Sequence, residues 1–298
     1  MIDLISPFLI YSAIQAATPL LLAAMAGVFC SRVGVFNMAL EGQMLVGAFV
    51  AVAAGYFTHN AYAGIAAAMV GTMVFSVILA AGSTWFRGNP VVLCIGMNLL
   101  ASGMTAYFLR LVFGVSGTFT NPAIPLIPRL SLPGLAALGP WGAVLNNQTA
   151  VTYVSWLIVV LCTILLFRTP IGLRIRGAGE NPEAAVALGV DVDKLQFATV
   201  VVSGALVGLG GAQLSLGAVT LFSEDMTAGR GWIALVAIML ARDNPVGAAL
   251  ACLLFGLTDA LGLRLQSFGL PNQIATILPY VITLVALVAF AKRKRQLA

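Results

Sequence analysis

Five hydrogen-bonding side chains stand inside stretches that are otherwise apolar. Asn37, Glu41 and Gln43 interrupt Val33–Val52, Asn98 interrupts Val91–Val112, and Gln213 interrupts Phe197–Leu216. A carboxylate at the centre of a bilayer costs about 2.5–3.5 kcal/mol on insertion scales, so it faces a cavity or a partner. Asn37 and Glu41 have the spacing that puts two residues on one face of a helix. Together the five groups can line or shape a polar path. Amides and hydroxyls outnumber charges here, which suits a neutral, hydrogen-bonding solute better than an ion. The same groups could instead only tie helices together, each such bond contributing about 0.6 kcal/mol. Asp259 is a further carboxylate in a late apolar run. It or Glu41 would have to hold the proton or sodium ion if the chain were an ion-coupled transporter.

Catalysis fits the sequence poorly. His59 is the only histidine, and it falls in a short loop, which leaves no His-based triad or metal cluster. The lysines are Lys194, Lys292 and Lys294, and none follows the glycine run of a phosphate-binding loop. The chain is read as a transport subunit with no cofactor of its own. Any ATP and magnesium would sit on a separate ATPase chain. Cys30, Cys94, Cys162 and Cys252 lie in apolar runs without paired spacing and read as small hydrophobes.

A second group of residues breaks the apolar pattern differently. Gly172–Lys194 carries Arg174, Arg176, Glu180, Glu183, Asp191, Asp193 and Lys194. Within it lies a compact helix signal. Asn181 can cap, because its side chain accepts from an orphan amide of the first turn. Pro182 suits the first helical position, and Glu183 puts negative charge at the positive end of the dipole. Ala184, Ala185, Val186, Ala187 and Leu188 continue the helix, and Gly189 can end it in the left-handed conformation. A helix of about two turns is marginal alone in water, so something should pack on it. It is either a solvated connector or a knob that docks on another protein.

The elements that hold these residues must be membrane helices. Of 298 residues, 60% are hydrophobic and 8% charged, against about 25% charged in a soluble domain. At about 20 residues per span, the expected fold is an all-α polytopic membrane protein with roughly eight to ten transmembrane helices, some broken or re-entrant. The proline-rich connection at about 114–149 reads as an external surface loop, and about 168–195 as a cytoplasmic loop. Trp232–Ala241 is apolar but too short to cross; it either extends upstream or is half of a broken helix. Gln273–Ala291 is the last expected span. With Lys292, Arg293, Lys294 and Arg295 in the cytoplasm, the basic residues favour the side that carries Arg174 and Arg176. Gly204, Gly208, Gly210 and Gly211 form a small-residue face for close helix packing. Arg87-Gly-Asn-Pro-Val91 is echoed at Arg242-Asp-Asn-Pro-Val246.

Several longer motifs resemble one family. They are GVFNMALEGQMLVGAF (34–49), GMNLLASG (96–103), FRTPIGLRIRGAGENP (167–182), SGALVGLGGAQLSLG (203–217), MTAGRGWIALVAIM (226–239), NPVGAALA (244–251) and LPY (278–280). With these motifs the chain, as one permease domain over 1–298, resembles the integral-membrane permeases of ABC importers for branched-chain amino acids, simple sugars and nucleosides, closest to the nucleoside and simple-sugar subgroup. Two cytoplasmic turns depart from that pattern: Ala241-Arg242-Asp243 precedes the second Asn-Pro, and no glutamine stands near Pro90. The resemblance implies a solute path between two permeases and a coupling helix at Glu180–Gly189 that fits an ATPase cleft. It implies as partners an ATPase subunit, a second related permease and an extracytoplasmic solute-binding lipoprotein, at the bacterial inner membrane. A nucleoside is the expected solute and a simple sugar the alternative.

Overall fold

The computed structural model describes residues 7–131, 144 and 146–266. In chain order the elements are α1 (Pro7–Arg32), α2 (Leu40–Thr58), α3 (Ala61–Thr84), α4 (Pro90–Phe113), β1 (Thr118–Thr120), β2 (Arg129–Leu130), β3 (Gln148–Thr149) and α5 (Ala150–Arg168). There follow α6 (Pro170–Glu180), α7 (Pro182–Ala187), α8 (Val192–Ala212) with a π-helical extension over Gln213–Ala218, β4 (Leu221–Ser223), α9 (Arg230–Leu240) and α10 (Pro245–Gln266). Among the described residues, seven helices are long and apolar enough to cross a membrane: α1 to α5, α8 with its extension, and α10. The expected span Gln273–Ala291 and the C-terminal basic residues lie outside the described residues.

α1 is the axis of the bundle. It packs on α8 and α10, and 83% of its apolar window is buried inside the protein. α4 is the opposite case, with only 22% of its window buried. The small-residue face of α8 meets α3 directly. A Cβ on Gly204 would collide with the Ser76 side chain, and one on Gly208 would stand 2.5 Å from the Ala68 carbonyl oxygen. The repeated Asn-Pro sequence is one device used twice. Asn89 and Asn244 accept the amides of Val91 and Val246, with Pro90 and Pro245 as first helical residues. Arg87 and Arg242 both turn the chain with positive φ, 49° and 53°.

Three expectations are corrected. Val33–Val52 is not one helix. The chain turns at Gly34, runs non-helically through Met38, and only then enters α2. Asn37 therefore lies outside α2 and does not share a helical face with Glu41. The proline-rich connection does not simply lie on the surface. Phe119, Ile124 and Ile127 are buried, and the Ile127 amide donates to the Leu216 carbonyl at 3.0 Å. Its backbone pairs in two short antiparallel ribbons, Thr118 opposite Ser223 and Arg129 opposite Thr149, within the all-α bundle. Last, the part of the expected 168–195 loop that precedes the Asn181 helix is itself helical. Thr169 caps α6 by accepting from Gly172, and Pro170 occupies its first turn. Arg174 and Arg176 stand on that helix.

α9 settles the short-span question. At about 1.5 Å per residue, its 11 residues reach about 16 Å, half of a bilayer core. It cannot extend upstream, because Gly229 is left-handed (φ 82°) and Ala228 and Asp225 also have positive φ. Residues 219–240 form a broken span, with an extended and turned half followed by a helical half.

Candidate translocation and coupling sites

Two breaks in the helices, at residues 33–39 and 219–229, organise the polar residues. In a membrane, non-helical backbone persists only where protein or a water-filled cavity satisfies it. The first break is satisfied from within. The Asn37 Oδ1 accepts the Ala39 amide at 2.9 Å, and its Nδ2 donates to the Gln43 Oε1 at 3.0 Å. The Gln43 Nε2 donates to the Ser76 Oγ at 3.0 Å, and Cys30 and Ser203 share a hydrogen bond of 3.0 Å beside Asn37. Asn37 is 3% exposed and Gln43 fully buried. From α4, Asn98 closes the same break. Its Oδ1 accepts the Gly42 amide at 2.8 Å and its Nδ2 donates to the Met38 carbonyl at 3.1 Å.

Glu41 spans from the first break to the second. The Gly229 amide donates to Oε1 at 2.8 Å and the Gly231 amide to Oε2 at 2.6 Å. These are orphan donors at the start of α9, so the carboxylate serves as the cap that Gly229 lacks, at the positive end of the helix dipole. Gly231 has to be glycine there, since a Cβ would collide with the Glu41 backbone. Around this cap the broken span carries more polar contacts. Asp259 on α10 lies 3.7 Å from Arg230, and Asp225 accepts from the Ser102 hydroxyl of α4 at 2.8 Å. Glu224 accepts the Gly117 amide at 3.0 Å and lies 3.9 Å from Arg110.

Gln213 is apart from these, at the first π-helical position of α8's extension. It is 2% exposed and accepts from Thr149 at 3.0 Å; Thr149 bonds Thr152, which accepts from Thr18 on α1. The structure thus joins Asn37, Gln43, Glu41 and Asn98 in one region and leaves Gln213 in another. Sequence reading missed Ser76 and Thr149, the partners of Gln43 and Gln213, and the neighbouring hydroxyls of Ser203, Ser102 and Thr18. A lone hydroxyl in an apolar helix often bonds only its own backbone, as Ser83, Thr84 and Thr163 do here. The non-helical breaks themselves were the missing signal.

The charged stretch forms the second candidate site. Asn181 caps α7 by accepting the Ala184 amide at 3.0 Å, Pro182 is at its first turn, and Gly189 is left-handed (φ 81°). Only Ala185 of α7 is buried. Val186 is 59% and Leu188 85% exposed, beside the exposed Glu180, Glu183 and Ala184. A groove of about 780 Å³ borders this knob, lined by Arg87, Pro182, Glu183, Val186, Asp193 and Gln196. Asp191 caps α8 and pairs with Lys194 at 2.8 Å. The hydrogen bond from Lys194 holds the Asp191 carboxyl below its ordinary range. Behind the knob, α6 rests on the end of α1. A Cβ on Gly179 would collide with the Arg32 carbonyl, Gln196 donates to the Val33 carbonyl at 3.0 Å, and Arg176 and Arg32 both stand over the Phe167 ring.

Known proteins give this arrangement a family. Residues 9–287 match the family described as branched-chain amino acid transport system / permease component. The guanosine ABC transporter permease protein NupQ of Bacillus subtilis (strain 168) is 36% identical, the match covering 93% of this chain and 90% of the relative. The nucleoside ABC transporter permease protein NupC of Lactococcus lactis subsp. cremoris (strain MG1363) is 31% identical, over 96% and 92%. A metal-chelate type ABC transporter solved in an inward-facing conformation shares the fold, with a TM-score of 0.55, 18% identity, and coverage of 96% of this chain and 85% of that one. The chain therefore belongs to the branched-chain amino acid transport system / permease component family, as a multi-pass permease subunit of an ABC transporter.

Proposed function

We propose that this permease carries a nucleoside into a bacterial cell across the inner membrane, driven by a separate ATPase that binds ATP and magnesium. A second permease, identical or related, completes the path, and an extracytoplasmic lipoprotein delivers the solute. The C-terminus and α6–α7 face the cytoplasm. The observation that carries the reading is the α7 knob. A helix capped by Asn181, stopped by Gly189 and left with Val186 and Leu188 in the open has the shape and apolar surface of a docked element. The names of the 36% and 31% identical relatives support the nucleoside as solute.

In this reading, Glu180, Asn181, Pro182, Glu183, Ala184, Ala185 and Gly189 receive the ATPase's motion, and Arg174 belongs to the helix behind them. α6 leans on the α1–α2 turn, and that turn leads into the break held by Asn37. Motion at α7 thus has a packed route to Glu41 and α9. Asn37, Gln43 and Gln213 shape the path from behind, and the half-buried Glu41 and Asn98 border it. An ion-coupled mechanism fits less well, because Glu41 is engaged by two amides and Asp259 stands beside Arg230.

The test is uptake of radiolabelled nucleosides by membrane vesicles holding the permease pair and the ATPase, with the binding protein added. Uptake that needs ATP is expected. Uptake that follows an ion gradient without the ATPase would overturn the importer reading. An intact complex that carries glucose and no nucleoside would put the simple sugar in the nucleoside's place.

A further inference from the structure

The two carboxylates in the 219–229 break that lie nearest α4 have a different setting from Glu41. Ser102 stands halfway along α4, about 18 Å from its first residue at 1.5 Å per residue. Its hydroxyl donates to Asp225 at 2.8 Å, so the Asp225 carboxylate is held near mid-depth of a membrane-spanning helix. Asp225 is nevertheless exposed on this chain. The neighbouring face of α4 is exposed too. Val92 is 67% and Leu99 72% exposed, and a Cβ on Gly96 or Gly103 would meet nothing within 4 Å. From mid-depth toward the end of α4, the polar lane continues through Glu224 and Arg110, whose side chains are 30% and 65% exposed. A charged lane at this depth is not compatible with lipid, so it faces water or a partner. The non-helical backbone of 224–229 has the same requirement.

We propose that Asp225, with Ser102, is the solute contact of this permease at mid-membrane, recognising a vicinal diol. A carboxylate offers two oxygens with about four acceptor sites, and Ser102 takes one. Two adjacent hydroxyls, as on a ribosyl group, can donate to both oxygens, while the Ser102 hydroxyl keeps the carboxylate turned toward the lane. The helix terminus next to it does not compete for the solute, because Glu41 already caps it. Gly103, one residue beyond Ser102, leaves the surface beside the pair open to a ring. The contact selects for hydroxyl donors and disfavours an anionic solute. This inference rests on the nucleoside reading above for the identity of the diol.

The experiment compares uptake of a ribonucleoside and of its 2′,3′-dideoxy analogue by the complete transporter, wild type and Asp225→Ala. The same binding protein serves all four measurements, so its own preference cancels from the ratio. Ribonucleoside uptake is expected to fall about ten- to hundredfold, the size of one or two hydrogen bonds to a charged group. Dideoxy uptake should change less than about twofold by the same reasoning. Equal losses for both solutes, or no loss for either, would overturn the site. Asp225→Asn, which still accepts from Ser102, serves if the alanine variant does not assemble. A smaller loss confined to the ribonucleoside supports the contact, and an unchanged ratio overturns it. If the wild-type complex carries glucose and no nucleoside, the solute reading fails by itself. Asp225→Ala is then read on glucose uptake, where a loss of about tenfold or more supports the site and unchanged uptake overturns it.

Discussion

The Glu41 carboxylate receives the Gly231 amide at 2.6 Å, joining the first turn of α2 to the first turn of α9 across 190 positions of sequence. With Gly229 on the other oxygen, one side chain caps a helix that begins inside the bundle. Replacing Glu41 by Gln sets an NH₂ group against one of the two amides. A buried donor left without an acceptor costs about 1–3 kcal/mol. The purified variant should melt several degrees below wild type, while Glu41→Ala should lose more. Equal melting temperatures for all three proteins would remove the cap from the account.

Gly231→Ala tests the same junction from the other side. Its Cβ would collide with the Glu41 backbone, which has no flexible end to yield. Overpacking of this kind costs about 1–3 kcal/mol or more. Detergent-extracted protein should show a lower yield of monodisperse permease, read by size-exclusion chromatography. Gly103→Ala, at a position open to 4 Å, should match wild type in the same measurement.

Asn98→Leu removes an acceptor from the Gly42 amide and a donor from the Met38 carbonyl. The variant is expected to lose thermal stability as well as uptake, because the break before α2 is left half satisfied. Loss of uptake at full stability would mean that Asn98 acts on the solute alone.

Leu188→Asp puts a charge on the most exposed apolar side chain of the knob, 85% exposed. Membrane insertion and melting should be unchanged. ATP-driven uptake should fall at least about tenfold, the effect of about 1.4 kcal/mol at a docked contact. Asn181→Ala, which removes the cap of α7 at a cost of about 1 kcal/mol, should give a partial loss. Normal coupled uptake in both variants would exclude docking through α7.

How much of this was legible in the sequence follows from where each signal is stored. Asn181, Pro182 and Gly189 act on their own neighbours, so the α7 knob could be read residue by residue, and the structure places its cap and stop as expected. The long apolar runs gave the spans for the same reason. The start of α2 could not be read, because Val33–Val52 is apolar throughout and only a left-handed Gly34 and a set of distant acceptors break it. Asn37 and Glu41 have helical spacing, yet they serve different breaks, and the partners that decide this come from α3, α4 and α9. The shortness of α9 is plain in the sequence, but its cap, Glu41, lies far earlier in the chain. Local rules are written locally, while backbone satisfaction at depth is assigned by tertiary neighbours.

The position of α1 has a consequence for synthesis. It enters the membrane before the other described helices, yet most of its surface ends on α8 and α10, the latter beginning at Pro245. At about 5–20 residues per second, roughly 12–50 s separate the emergence of α1 from that of α10. During that interval lipid must cover a helix destined for the centre. Its run from Ala17 to Met25 contains only Thr18 as a polar side chain, and Thr18 bonds the Ile14 carbonyl of its own helix. Ala17–Met25 can therefore wait in the bilayer without an unpaired polar side chain, and the central helix of the finished permease doubles as a lipid-tolerant one during assembly.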